Sequence, residues 1–230
     1  MAFIEADSNR RLSVMKFDGA NWVGVGVGAV GFTGGKSNSP ALAVDKNGIP
    51  HVAYWETCPD LLNPPAMLGR LSAMKFNGAA WDSIGRCMTA GNNTGLHDPI
   101  SMKFDTSGSL YLAYADEADG GKATVQAYRS SAWSVVGSAG FTAGTAASLT
   151  LAIGPSSRPY IAYSNGSTDN RADVMRLEGS VWTHAPNRDF SSSKAATTAL
   201  SVNNQGEVVL GFSDYSTPGA RASVARLRFE

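Results

Sequence analysis

The stretch WVGVGVGAVGFTGG contains glycines at the spacing that nucleotide-binding proteins use to hold a pyrophosphate. Gly26, Gly28 and Gly31 match G-x-G-x-x-G. In that chemistry backbone amides donate to phosphate oxygens, and a helix must open at the last glycine. The residues after Gly31 are rich in Gly, Ser and Pro and lack apolar residues at helical spacing. The sequence therefore predicts no dinucleotide site and no cofactor.

Other catalytic or metal-binding patterns are equally weak. His51, His97 and His184 do not stand at metal-ligand spacing, and neither G-x-S-x-G nor H-E-x-x-H occurs. Cys58 and Cys87 are too few for a disulfide framework, and their spacing leaves one disulfide and two free thiols both open. We therefore expect no metal site and no enzyme.

Composition points to a turn-rich protein without a charged surface stripe. The 19 basic and 19 acidic residues balance to zero, and charged residues make up only 17% of the chain. Neither a basic stripe for nucleic acid nor a polybasic cluster for a membrane surface is present. No signal-peptide core or membrane-spanning apolar run is found. These features predict an all-β protein that binds neither nucleic acid nor membrane.

The chain repeats itself around four tryptophans. The copies are LSVMKFDGANWVGVG, LSAMKFNGAAWDSIG, ATVQAYRSSAWSVVG and ADVMRLEGSVWTHAP. Trp22, Trp81, Trp133 and Trp182 lie 59, 52 and 49 residues apart. A period of about 50 residues with several short strands per unit is typical of β-propellers. The shared position predicts that all four tryptophans pack between blades.

The glycine motif belongs to this repeat. The third copy has WSVVGSAGFTAG where the first has WVGVGVGAVGFTGG, so Gly31 aligns with Gly140 and Gly26 with Gly137. The G-x-G-x-x-G spacing is thus predicted to be a coincidence within a repeated connection between strands.

The repeated pattern W-x-x-V-G, a G-F-T-x-G loop, an apolar strand and then P-Y-x-A-Y resembles an unnamed repeat. That repeat occurs in many copies in large, mostly bacterial proteins that are secreted or on the cell surface. The resemblance implies a β-propeller and a secreted or surface location, and it implies no catalytic residues.

Each repeat is predicted to form a four-stranded antiparallel blade with inner, second, third and outer strands. The count is five second, five third, four inner and four outer strands, which favours five blades; four blades with redundant terminal strands are the alternative. We expect one domain, 1–230, with repeat units of approximately 1–35, 36–88, 89–143, 144–192 and 193–230. Loops that follow the second and outer strands are long, and we call the side that they share the long-loop face.

Binding residues are expected on the long-loop face, because loops carry function on rigid scaffolds. An acidic residue after the second strand recurs with a basic residue across the loop, which favours one hairpin salt bridge per blade over a ring of ligand contacts. Residues that break the repeat are better candidates. The predicted ligand-binding residues are Trp55, Glu56, Asp98, Asp116 and Tyr215.

The sequence thus predicts a non-enzymatic β-propeller that binds an unidentified protein or glycan through the long-loop face, and an enzyme ranks a distant third. The alternative is a structural or assembly repeat domain, either a natural fragment or an engineered propeller, without a ligand of its own. The first and last blades of the predicted propeller lack strands, so the sequence leaves open whether the protein is a monomer or a strand-exchanged homo-oligomer.

Overall fold

A computed structural model describes residues 1–6, 9–26, 30–59, 67–89, 99–186, 190–216 and 219–229. The described chain is all-β, with eighteen strands and three short 3-10 turns, Glu117–Asp119, Pro155–Ser157 and Gly166–Thr168. It divides into two compact units, unit 1 (Met1–Ile100) and unit 2 (Ser101–Glu230). Gly28 and Asp98 lie outside the described residues. No helix in the described ranges is long and apolar enough to span a membrane.

Unit 1 contains two antiparallel sheets. The three-stranded sheet has the order β1 (Ala2–Ile4), β2 (Leu12–Phe17), β3 (Trp22–Gly24). The four-stranded sheet has the order β4 (Ser37–Val44), β5 (Pro50–Pro59), β6 (Met67–Phe76), β7 (Trp81–Gly85). Leu12, Val14, Val52 and Tyr54 are buried in the core between these sheets.

Unit 2 contains three antiparallel sheets. The first has β8 (Ser101–Phe104), β9 (Leu110–Asp116), β10 (Lys122–Arg129) and β11 (Ala132–Val135). The second has β12 (Ala146–Ile153), β13 (Pro159–Asn165), β14 (Arg171–Glu178) and β15 (Val181–His184). The third has β16 (Ala195–Val202), β17 (Glu207–Asp214) and β18 (Arg221–Arg228). Apolar cores fill the space between successive sheets.

The pairing order confirms the predicted blade layout. Strands follow one another in chain order within every sheet, and the described strands fill four first, five second, five third and four fourth positions. In unit 2 the first strands of successive sheets are hydrogen bonded. Ser101 Oγ accepts from the Leu151 amide at 2.9 Å, and the Thr150 hydroxyl donates to the Thr198 carbonyl at 2.7 Å. First strands thus lie together, as inner strands of a propeller must.

Two of the repeated tryptophans pack between sheets as predicted. The Trp182 indole N–H donates to the Val136 carbonyl at 2.9 Å, and its ring stacks on Phe141 with centroids 4.3 Å apart. In unit 1, Trp81 makes the same pair of contacts, a 2.9 Å hydrogen bond to the Val25 carbonyl and a stack on Phe32 at 4.7 Å. The tryptophan of one sheet therefore covers the W-x-x-V-G connection of the sheet before it.

The prediction is wrong for Trp22, which is 53% exposed, and Trp133 is only half-buried. Both belong to the first sheet of their unit, so the same unit has no earlier connection for them to cover. Each ring contacts the aromatic residue opposite it on the neighbouring strand; Trp22 contacts Phe17, and Trp133 contacts Tyr128. Position in the repeat does not fix burial, because burial requires a preceding sheet.

The fold also explains the glycine motif. Gly26 has φ +99°, and a Cβ there would lie 3.3 Å from the Trp81 ring; Gly137 has φ +78°, and its Cβ would lie 2.9 Å from the Trp182 ring. After Gly31 the chain enters strand β4 rather than a helix. These glycines let the backbone turn close under a tryptophan, and the helix that a pyrophosphate site requires does not follow.

A repeated hydroxyl fixes the loop after each outer strand. Its oxygen accepts a hydrogen bond from a backbone amide of a third strand, at 3.0 to 3.3 Å. The donor and acceptor pairs are Leu12 with Thr33, Leu71 with Thr89, Ala123 with Thr142, and Ala172 with Ser191. Each of these hydroxyl-bearing residues is buried. The Thr of the G-F-T motif is therefore structural.

We expect Gly144→Ala to destabilise unit 2 by ~1–3 kcal/mol, the usual cost of overpacking. A Cβ on Gly144 would overlap the Ser167 backbone nitrogen, and no side-chain rotation can relieve that overlap. Gly211→Ala is the matched control, because its Cβ would meet only Ala199, at ordinary contact distances of 3.8 Å to its Cβ and 3.9 Å to its carbonyl oxygen. Chemical denaturation measures both, and equal stabilities would show that this loop yields freely.

Candidate functional site

The structure scatters the predicted ligand-binding residues over several elements. Trp55 and Glu56, on β5, are 1% and 3% exposed, and Asp116, at the end of β9, is 7% exposed. Tyr215 follows β17 and is 47% exposed. Asp98 lies outside the described residues. A ligand contact at these positions stays a prediction, and two of them, Glu56 and Asp116, have structural contacts of their own.

Glu56 holds a disulfide-bearing loop. Its carboxylate accepts from the Ser72 hydroxyl at 2.5 Å and pairs with the Arg86 guanidinium at 3.5 Å. The Ser72 oxygen in turn accepts from the Cys87 amide at 2.9 Å, and Cys87 is bonded to Cys58. The disulfide settles the alternative that the sequence left open. Although Glu56 and both cysteines lie together, the bonded sulfurs are unavailable as thiolate ligands, so they form no metal site.

In unit 2, the residue that ends each of the strands β9 and β13 caps a short 3-10 turn. Asp116 accepts from the Ala118 amide at 3.1 Å, and its counterpart Asn165 accepts from the Ser167 amide at 3.0 Å. Asp116 also stands opposite Lys122 in the strand ladder, and the salt bridge predicted between them stays a prediction. Both side chains satisfy backbone donors at the start of a 3-10 turn.

A buried polar cluster in unit 2 escaped the sequence analysis. Asp173 is 3% exposed and contacts the Asn165 amide at 3.0 Å, the Tyr163 hydroxyl at 3.3 Å and the His184 ring at 3.2 Å. The signal was present, because other repeats carry Ser or Thr where Asp173 stands. These contacts tie three strands together and leave the carboxylate enclosed, so we assign the cluster a structural role.

An apolar cleft lies at the tight-turn ends of the unit 1 sheets. We call it the aromatic cleft; its volume is about 540 Å³, and its walls include Phe17, Trp22, Val25, Leu42, Val44 and Phe76. Val25 is buried at its base, whereas Phe17, Trp22 and Val44 are each more than half exposed. A cavity of this size with apolar walls is typical of a small-molecule site.

Three tight turns hold the rim of the aromatic cleft. Asp18 accepts from the Ala20 and Asn21 amides at 2.9 and 2.8 Å, and Asn77 accepts from two amides of its own turn at the same distances. Asp45 fixes the third turn in the same way. The backbone hydrogen bonds, that of Asn21 above all, lower the pKa of Asp18. Side chains that lock their own turns make the rim rigid.

The polar groups at the aromatic cleft are few. The exposed Lys16 ammonium and the Asn77 side chain lie among the lining residues, together with the backbone of Gly48 and Gly78. None of the described residues that line it carries a carboxylate. The described lining can therefore stack a ring against Trp22 and donate hydrogen bonds.

Comparison with known proteins gives the fold. No protein-family model matches the chain, and no curated protein matches it. A protein of unknown function from Dyadobacter fermentans superposes with a TM-score of 0.59 at 14% identity, over 97% of this chain and 73% of that one. An Aleuria aurantia lectin mutant in complex with α-methyl-L-fucoside gives 0.57 at 16%, over 96% and 72%.

A third similar structure is an enzyme. The GH93 α-L-arabinofuranosidase of Fusarium graminearum, in complex with arabinobiose, gives a TM-score of 0.54 at 13% identity, over 84% of this chain and 62% of that one. Similarity at such low identity shows fold and not activity. Together with the antiparallel sheets described above, these likenesses establish that the chain has a β-propeller fold.

Proposed function

We propose that this chain is a non-enzymatic β-propeller module that binds glycans through the aromatic cleft of unit 1. The observation that carries the proposal is the exposure of Trp22, which is 53% exposed beside Phe17 at the cleft. Its repeat equivalents Trp81 and Trp182 are buried. A flat ring left exposed at a cavity offers a surface on which a ligand can stack.

The chemistry of the aromatic cleft suits a neutral sugar. The C–H face of a sugar ring packs on an indole, while its hydroxyl groups accept from Lys16 and from the remaining amide hydrogen of Asn77. The rigid turns place these groups before the ligand arrives, which lowers the entropic cost of binding.

The comparisons support a sugar ligand at the level of the fold, since the Aleuria lectin holds α-methyl-L-fucoside and the Fusarium enzyme holds arabinobiose. Binding is favoured over hydrolysis because glycosidases generally use two carboxyl groups beside the scissile bond. The described lining of the aromatic cleft contains neither.

A glycan array followed by calorimetry tests the proposal, with α-methyl-L-fucoside among the first ligands. We expect at least one neutral glycan to bind, and we expect Trp22→Ala to weaken that binding about tenfold or more, equal to ~1.4 kcal/mol. Trp22 is exposed, so this variant should fold normally.

Tyr215→Ala is the matched control, because Tyr215 is a comparably exposed aromatic residue on the predicted long-loop face. Unchanged binding in this variant would support the aromatic cleft. If Tyr215→Ala abolished binding and Trp22→Ala did not, the long-loop face would be the site. If no glycan on a broad array bound, the proposal of a glycan ligand would be wrong.

The Cys58–Cys87 disulfide supports a secreted or cell-surface location, because disulfides persist in oxidising compartments. An assembly role is the second candidate function. It is favoured by β18, the edge strand of its sheet, where Val224 is 75% exposed. An exposed edge strand can pair with another chain. A homo-oligomer that dissociates in Val224→Lys would favour this role.

A further inference from the structure

A second pocket, in unit 2, is lined by arginines. It lies at the tight-turn ends of the second and third sheets, has a volume of about 230 Å³, and is lined in part by Arg158, Tyr160, Arg176, Arg228 and Phe229. The volume is below that of a drug-sized site and is sufficient for one sugar ring. Nothing assigned above uses these residues.

The pocket carries an excess of positive charge. Glu178 accepts from Arg176 Nε at 2.6 Å, and Glu207 accepts from both Arg226 and Arg228. Hydrogen bonds from Arg226 and then Arg228 lower the pKa of Glu207 to about 2, so Glu207 stays ionised at neutral pH. The two carboxylates of Glu178 and Glu207 are therefore outnumbered by three guanidinium groups, those of Arg176, Arg226 and Arg228. Arg158 is a fourth.

Arg158 adds a further guanidinium. It follows the Pro155–Ser157 turn and is exposed. Within the described ranges, the Arg158 side chain has no carboxylate partner. A ligand anion can therefore pair with Arg158 without breaking an ion pair inside the protein. A carboxylate suits it well, because its two planar oxygens match two parallel N–H donors of the guanidinium.

Aromatic rings fix the geometry of the pocket. The Arg176 guanidinium carbon lies 4.4 Å above the centre of the Phe229 ring, and its side chain is only 11% exposed. Phe229 also meets the buried Tyr160 edge to face, with centroids 5.5 Å apart. Arg176 is thus held in place by stacking, and the half-buried Phe229 supplies the apolar surface that a sugar ring can contact and a bare inorganic anion cannot use.

We infer that this pocket is a second ligand site and takes a single uronic acid residue, whose carboxylate pairs with Arg158 while its ring contacts Phe229. The site shares no residue with the aromatic cleft, so this inference can be tested independently of the function proposed for that cleft.

Calorimetry of the full chain with D-glucuronate at low salt tests the inference. We expect binding that falls as salt rises, no binding of glucose or of the glucuronate methyl ester, and a loss of about tenfold in Arg158→Gln. Arg221→Gln is the matched control: it removes the same charge from an exposed site on β18 and should leave the affinity unchanged.

Trp22→Ala should bind glucuronate as the wild type does, which separates this site from the aromatic cleft. Failure of glucuronate to bind at millimolar concentration, or equal binding by wild type and Arg158→Gln, would overturn the inference. Inorganic phosphate that binds as tightly as glucuronate would show a general anion site and would likewise sink the assignment to a uronic acid.

Discussion

Trp182→Ala is expected to lower the free energy of unfolding of unit 2 by ~3–5 kcal/mol, as truncation of a large buried aromatic residue does. Trp182 is 7% exposed, stacks on Phe141 and belongs to the apolar core that joins the first and second sheets of the unit. The truncation also removes the indole N–H, so the Val136 carbonyl loses the hydrogen bond that it accepts from Trp182. Chemical denaturation, followed through a probe in unit 2, measures the loss.

Trp22→Ala is the control for this variant, because the same residue type at the same repeat position is 53% exposed. We expect a change in unfolding free energy below about 1 kcal/mol for this control. Equal losses in the two variants would mean that burial does not distinguish them, and the packing role assigned to Trp182 would have to be abandoned.

Removal of the Cys58–Cys87 disulfide is expected to destabilise unit 1 by ~3–4 kcal/mol. The two cysteines are separated by 29 residues, and the chain-entropy relation for a closed loop of that length gives this range. The double variant Cys58→Ala with Cys87→Ala removes the bond without leaving a free thiol. Thermal and chemical unfolding of the variant and the wild type, both without reductant, measure the difference.

The same double variant supplies its own control, because a reductant should lower the stability of the wild type toward that of the variant and leave the variant unchanged. A wild type whose unfolding is insensitive to complete reduction, verified by thiol titration, would refute a stabilising role for this bond.

Much of the fold follows from local patterns in the sequence. Short, largely apolar runs such as HVAY and YIAY, bounded by turn residues, predict strands. Turns such as Asp45 to Gly48 are specified by an Asx side chain followed by a glycine with positive φ. The period near 50 residues then predicts repeated four-stranded sheets, and the structure has their strands in the predicted order.

The candidate sites could not be predicted in the same way. Trp55 breaks the repeat, which made it a predicted ligand contact, yet it is 1% exposed. Arg158 and Arg176 are 18 positions apart in the chain and carry no recognisable motif, yet both line one pocket with Arg228. Such pockets arise where turns of different sheets meet, and their lining depends on which sheets pack together.

The sequence by itself determined the strands, the turns, their order within each sheet and the structural nature of Gly26 and Gly31, because each of these depends on residues close together in the chain or on their repetition. Only the tertiary structure decided which tryptophans are buried, that Cys58 is bonded to Cys87, and where the cavities lie. Those properties depend on contacts between residues distant in sequence. Trp22 and Trp182 share one repeat position, and they differ because a preceding sheet of the same unit covers only Trp182.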